Sequence, residues 1–230
     1  MKLRRQLQGR QGQSLVEMAL ALPFLLLMFA GLIEVSYVLR NYLVVVNANR
    51  EGTRFAARGR WFDEPEEWDF IVDRVVAAAG TDLRGNPFFR TQDGDDLPPN
   101  VKIAIHYIEV PSQYNEDLGE LEKQEPEIFS APPWGMNCSA CEPLSLEELN
   151  VIASKARQEN EEFNRKYFVE DELLDIPSEN NFVIIETWYD HKQLLELPIF
   201  TAVLPDKIPL YASTQMRVTL SRELFDERQP

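Results

Sequence analysis

A glycine and a glutamate stand at the start of the most apolar stretch of the chain. Gly12 precedes Glu17 by five positions, and residues 18–33 contain no charged or strongly polar side chain. A carboxylate in a membrane helix costs about 2.5–3.5 kcal/mol at the bilayer centre and less near its edge, so such a residue is a candidate for function. If the bond after Gly12 were cut, the new α-amine of Gln13 could pair with Glu17 of a neighbouring helix, since each charge would offset the other's desolvation. Such a pair would fix the axial stagger between subunits; otherwise Glu17 only marks the helix edge and reaches the headgroups.

The apolar stretch around these residues predicts a transmembrane helix. Residues 18–33 span about 24 Å as a helix, and the longer run 15–39 is sufficient for a hydrocarbon core of about 30 Å. Pro23 lies inside it and predicts a kink that a membrane can tolerate. Two alternatives are a cleaved signal peptide and a buried helix of a soluble protein.

Charge is distributed unevenly along the chain. The net charge is −15, and residues 1–10 carry +4 from one lysine and three arginines, so the remainder carries −19. The basic head predicts a cytoplasmic N-terminus and an extracytoplasmic C-terminal domain. The acidic remainder argues against nucleic-acid binding, because it would repel phosphate.

The spacing of Gly12 and Glu17, the basic head and the helix interrupted by Pro23 resemble the prepilin peptidase site of type IV pilins. More narrowly, they resemble the TadE-like minor pseudopilins of the tight adherence (Tad/Flp) secretion system, although Met18 stands where an aromatic residue commonly follows the glutamate. Residues 48–58 and the closing region 188–217 are also similar to that family. The resemblance implies cleavage between Gly12 and Gln13 and assembly through Glu17. It also implies a prepilin-type peptidase, other pilins or pseudopilins, membrane lipid and an inner-membrane assembly platform as partners.

The periodicity of the chain predicts an α+β fold. Residues 1–12 form a basic leader, 13–60 the transmembrane helix with its extension, and 61–230 an extracytoplasmic domain with a small antiparallel sheet and packed helices. The predicted elements are helices over 66–79 and 145–168 and strands over 101–110, 182–189 and 210–220, with a proline-rich loop over 111–144.

Other chemistry-bearing residues are few. Cys138 and Cys141 lie in the predicted loop and favour a local disulfide formed after export, with zinc or redox chemistry as alternatives. Asp93, Asp95 and Asp96 resemble a calcium loop only weakly. Glu34 is expected near the outer membrane boundary, within reach of water. Residues 194–204 are unusually apolar and are expected to cover the sheet, or to rest on the membrane or a partner.

These patterns favour a structural protein over an enzyme. No recognisable catalytic or phosphate-binding motif is present, and no cofactor or metal is expected. The sequence therefore predicts a minor pilin-like subunit acting in filament assembly, surface adhesion or secretion, either within a surface filament or in the membrane. The alternative is a single-pass anchor whose extracellular domain binds a ligand and is unrelated to pili. A redox module using the two cysteines is a third class.

Overall fold

The computed structural model divides the chain into two compact units, Met1–Tyr42 with His191–Ile208 and Leu43–Asp190 with Pro209–Pro230. For 3–12, 113–115, 120–122 and 160–167 the backbone alone is described. The described residues are 3–58, 68–83, 85–89, 100–110, 113–115, 120–122, 125–131, 133–135, 141–167, 181–195, 205 and 207–218.

Helix α1 covers Leu3–Ala56, a run of 54 residues. Leucine, alanine and methionine are good helix formers, and at 1.5 Å per residue the helix is about 81 Å long. The predicted extension to residue 60 is confirmed as far as Ala56, after which residues 57 and 58 form a turn. The amide of Arg58 closes that turn by donating to the carbonyl of Phe55 at 3.2 Å.

Helix α2 covers Asp69–Ala79 and buries one stripe of side chains within the second unit. Its predicted C-cap is confirmed, because Gly80 has φ +66° and its N–H donates to the carbonyl of Ala77. A positive φ favours glycine, which has no Cβ to clash. The predicted start at residue 66 lies outside the described residues. The buried stripe is Ile71, Val72, Val75, Val76 and Ala79.

Helix α3 covers Leu146–Tyr167 and begins with the predicted N-cap. The amide of Glu148 donates to Ser145 Oγ at 3.3 Å, and Glu148 Oε2 accepts from the Ser145 amide at 2.8 Å. This reciprocal arrangement is a capping box, which satisfies two backbone donors at a helix start. The bonds from the Ser145 amide and hydroxyl lower the pKa of Glu148 from its ordinary value.

Seven strands occur among the residues that the structure describes, and they correct one prediction. The proline-rich region 111–144 was expected to be a loop, yet it contains four short strands. Strands of two to four residues are too short to show a period of two, and two of them exist because they pair with β1. The strands are β1 Val101–Glu109, β2 Gln113–Asn115, β3 Glu120–Glu122, β4 Glu127–Ser130, β5 Trp134–Gly135, β6 Phe182–Lys192 and β7 Lys207–Arg217.

The main sheet has the order β4-β1-β6-β7, with β5 also paired to β1, while β2 and β3 form a separate ribbon. Strand β1 pairs antiparallel with β4, β5 and β6. Both faces of β1 are buried. Ile103 and Ile105 join the core formed with α1 and α2, whereas Ile108 joins the core formed with α3. The predicted α+β class with a long apolar N-terminal helix is confirmed.

Candidate functional site

The N-terminal part of α1 exposes an apolar surface. Residues 13–29 are all exposed, among them Phe24 at 75% and Met28 at 65%. Within the described residues, one helix is long and apolar enough to cross a membrane, and none of its most apolar window is buried in the protein. A helix that is apolar all round needs lipid or protein cover. One N-terminal helix of this kind indicates single-pass membrane anchoring.

Gln13 and Glu17 face the same side of α1. Gln13 Nε2 donates to Glu17 Oε1 at 3.1 Å, and both residues are exposed. Residues four positions apart on a helix are neighbours, so this contact follows directly from the sequence spacing. The geometry places the main-chain nitrogen of Gln13 at the helix turn that precedes the Glu17 carboxylate. Gly12 lies in the same helix, immediately before the predicted cut.

Pro23 lies inside α1, and the helix continues on both sides of it. Proline has no N–H, so the carbonyl of Ala19, four residues earlier, loses its usual helical donor. The predicted kink remains a prediction.

The environment of Glu34 differs from the one that the sequence predicts. Glu34 was expected to reach water or headgroups, but it is 3% exposed. Its Oε1 accepts from the amide of Leu194 at 2.7 Å and its Oε2 from the amide of Leu195 at 3.2 Å. A buried carboxylate requires such donors, because desolvation without them is costly. No local pattern indicates this partner, which lies 160 positions away.

Two turns further along the same face, Asn41 binds His191. Arg40 Nη1 donates to Asn41 Oδ1 at 3.2 Å, so Asn41 Nδ2 is the donor to His191 Nδ1 at 2.8 Å. The ring of Tyr37 packs edge-on against the His191 ring, with centroids 5.2 Å apart. Because an amide nitrogen can only donate, His191 Nδ1 accepts and the ring is neutral with its proton on Nε2, a buried atom that has no hydrogen-bond partner among the described residues. Burial lowers the pKa of His191, and the charge of Glu34 partly opposes this shift.

Within the second unit, Asn49 of α1 anchors the sheet. Asn49 Nδ2 donates to the carbonyl of Ile185 at 2.9 Å, and Asn49 Oδ1 accepts from Thr187 Oγ1 at 3.2 Å. Asn49 is fully buried. Sequence reasoning missed this residue, although an asparagine among buried apolar positions of a helix is itself a signal for a specific partner.

A row of polar side chains crosses the sheet. Ser130 Oγ lies 2.8 Å from His106 Nδ1, and His106 Nε2 lies 3.0 Å from Glu186 Oε2. Glu186 also accepts from the Tyr211 hydroxyl at 2.6 Å and from the amide of Leu144 at 2.8 Å. Burial, and then the bond to Glu186, raise the pKa of Tyr211 to about 12. Although serine, histidine and carboxylate also form hydrolase triads, we interpret this row as a structural link between β4, β1, β6 and β7.

The cysteine prediction is only partly within the described residues. Cys141 is buried beside Ala104 and Trp188, and it is disulfide-bonded. Its carbonyl accepts from Lys102 Nζ at 2.5 Å. Cys138 lies outside the described residues, as do the three aspartates of the weak calcium resemblance, so the Cys138–Cys141 bond stays a prediction. No group of three or more metal-ligating side chains occurs in the part of the chain that the structure describes.

The comparison with protein families concerns the same helix that carries Gly12 and Glu17. Residues 12–54 match the family model described as TadE-like protein. This match confirms the resemblance inferred from the glycine, the glutamate and the apolar helix. Neither curated proteins nor solved structures gave a match to the chain.

The TadE-like segment, residues 12–54, contains Gly12, Gln13, Glu17 and Pro23 together with the buried Glu34, Asn41 and Asn49. The match supports a Tad pilus-associated protein. The TadE-like segment thus includes both the exposed apolar stretch and the part of α1 that packs in the second unit.

Proposed function

We propose that the protein is a minor pilin-like subunit of a Tad/Flp-type pilus or secretion system. In this proposal a prepilin-type peptidase cuts between Gly12 and Gln13 on the cytoplasmic side of the membrane. The mature chain then assembles through α1, with its acidic domain on the extracytoplasmic side, and acts in filament assembly, adhesion or secretion. The observation that carries the proposal is the match of residues 12–54, which begins at the glycine of the proposed cut.

The contact between Gln13 and Glu17 supports the proposed assembly step. In the uncut chain Glu17 has only an exposed amide partner, and such pairs stabilise a helix by about 0.2–0.5 kcal/mol. A charged amine 4 Å away would interact by about 4 kcal/mol at an effective dielectric constant of 20, before the cost of desolvating both charges is subtracted. The cleaved chain therefore offers Glu17 a much stronger partner on a neighbouring subunit, provided that the helices pack with the required stagger.

The proposed partners follow from the same segment. The peptidase must reach Gly12, other pilins or pseudopilins must cover the exposed apolar face of α1, and an inner-membrane assembly platform must extract the subunit. Before assembly, membrane lipid covers the exposed apolar face of α1. A disulfide between Cys138 and Cys141 would hold their loop after export, when the chain meets an oxidising compartment.

A pair of glycine substitutions tests the processing step. With a prepilin-type peptidase co-expressed, Gly12→Leu should block cleavage, because a large side chain next to the scissile bond does not fit where glycine does. Gly9→Leu is the matched control, since it changes a glycine of the same leader without touching the proposed cut. The measurement is the gel mobility and mass of the chain with and without peptidase.

Blocked cleavage in Gly12→Leu alone would support the proposal. Equal processing of Gly12→Leu and the unaltered chain would contradict it. A chain that is never cut, with or without substitution, would favour the alternative of a plain membrane anchor with a ligand-binding domain.

A further inference from the structure

The end of β6 and the segment that follows it contact helix α1 at residues 41 and 34. His191 lies beside Asn41, and the amides of Leu194 and Leu195 bind Glu34. From residue 41 to residue 34 the helix covers about 10 Å. From residue 191 to residue 194 an extended chain also covers about 10 Å. The chain therefore runs down the helix toward its membrane-spanning part.

The height of Glu34 relative to a bilayer can be estimated from the helix alone. Glu17 is the first carboxylate of the apolar stretch, and Glu34 lies 17 residues, or about 26 Å, further along α1. A hydrocarbon core is about 30 Å thick, so Glu34 lies at its outer edge if Glu17 lies at the inner edge. At this depth water is scarce and a carboxylate needs donors from the protein. The two backbone amides supply them.

Apolar side chains are exposed at this height. Leu195 is 37% exposed, and the helix residues on either side of Glu34, Ile33 and Val35, are 50% and 66% exposed. Gln193 Nε2 donates to the carbonyl of Pro205 at 3.2 Å, so both ends of the intervening segment are held together. Residues 194–204 contain a single charged side chain, Glu196.

From this geometry we infer that the Leu194–Leu195 turn is a second membrane contact, inserted into the outer lipid interface and held there by Glu34. The partner is the lipid surface of the bilayer that α1 crosses, because the turn is bound to that helix at the lipid boundary. The inference rests on the membrane anchoring in the proposed function, but it requires neither cleavage after Gly12 nor a filament.

Spin labels at three positions test this contact in the full chain. Cysteines replace Leu195, Ile33 or Lys192 one at a time, and are labelled without reductant so that the disulfide of Cys141 stays intact. The protein is reconstituted at low density in vesicles of phosphatidylethanolamine and phosphatidylglycerol. Collision with oxygen, which concentrates in lipid, is compared with collision with a water-soluble nickel complex. The label at Ile33 reports whether α1 lies in lipid. The exposed Lys192, at the end of β6 and three residues before Leu195, is the matched control.

The label at Leu195 should resemble that at Ile33, with an oxygen-to-nickel ratio severalfold above that at Lys192. A lipid-like Ile33 with a water-like Leu195, or with a Leu195 shielded from both reagents, would overturn the inference and leave the anchor intact. Water-like behaviour at both positions would overturn the anchor, and the inference with it.

A second comparison tests the role of Glu34. Glu34→Ala removes both acceptors, so the oxygen-to-nickel ratio at Leu195 should fall severalfold while that at Ile33 is unchanged. Ser36→Ala is the control, because the Ser36 hydroxyl binds only the Leu32 carbonyl of its own helix. An unchanged ratio at Leu195 in Glu34→Ala would show that Glu34 does not hold the turn.

Discussion

At the scale of single residues, the polar side chains of α1 are of two kinds. Glu17 is exposed on the apolar stretch, and its hydrogen-bond partner within the described part of the chain is Gln13. Glu34 and Asn41 are buried and each binds a residue from a distant part of the chain. The first kind is available for another molecule, whereas the second is already committed to this fold. This difference is the reason for assigning assembly to Glu17 and a positioning role to Glu34.

Substitution of Glu17 tests its assignment to assembly. Glu17→Ala should leave membrane insertion intact, or improve it slightly, because it removes a carboxylate that costs energy in lipid. It should nevertheless impair incorporation into filaments, and Glu17→Gln should do so as well, since an amide cannot neutralise an amine. The measurement is the amount of protein in sheared filaments relative to membranes, with Met18→Ala as control. Normal incorporation of both Glu17 variants would contradict the pairing.

His191 offers a test of the contact with Asn41. Its pKa should lie below the ordinary value of 6.5, because burial disfavours the charged ring. The unfolded chain then takes up a proton first, so the free energy of unfolding should fall as the pH drops through about 6.5 toward the lower pKa of the folded state. The chain has two histidines, so an NMR titration in detergent with His191→Gln for assignment gives this value directly. Titration at or above 6.5 would contradict the contact as described.

At the scale of elements, the packing of α1 on α2 depends on one glycine. A Cβ atom at Gly52 would overlap the side chain of Val75, which is fully buried. The helices therefore approach more closely than any larger residue would allow.

Gly52→Ala changes the free energy of unfolding in two opposing ways, through helix propensity and through overpacking. The sign of the net change shows which of the two is larger. Alanine in a helix interior is normally favoured over glycine by about 0.5–1 kcal/mol. Overpacking costs about 1–3 kcal/mol, so Gly52→Ala should lower the free energy of unfolding. In a Val75→Ala background, where the overlap is removed, the same substitution should cost less or be stabilising. Chemical denaturation of the four variants measures the coupling, and additive effects would contradict the close contact.

The helix ends and the short strands also show which structural features the sequence predicts and which it does not. Ser145 and Gly80 carry local signals, and the structure has the predicted helix ends at both. Strands β4 and β5 carry no such signal, because their hydrogen bonds come from β1 and not from their own pattern. Likewise, the burial of Glu34 depends on amides at positions 194 and 195, which local spacing cannot reveal.

At the scale of the whole molecule, cleavage would change the charge of the chain as well as its length. Residues 1–12 carry +4, and residues 13–230 carry −19. Basic residues next to a membrane helix hold that end on the cytoplasmic side. Removing the leader would therefore remove the charges that keep the N-terminus in place, and would leave a single amine that Glu17 of a neighbour can neutralise. In the proposed function, processing and assembly would thus be coupled through charge.

The mass of the native protein isolated from membranes and filaments tests the central claim most directly. The account predicts a chain that begins at Gln13 with a free α-amine. A chain beginning at Met1 would contradict the proposed processing, and one beginning beyond the apolar stretch would indicate a cleaved signal peptide. A chain beginning at a cyclised Gln13, which has lost its amine, would contradict the pairing with Glu17.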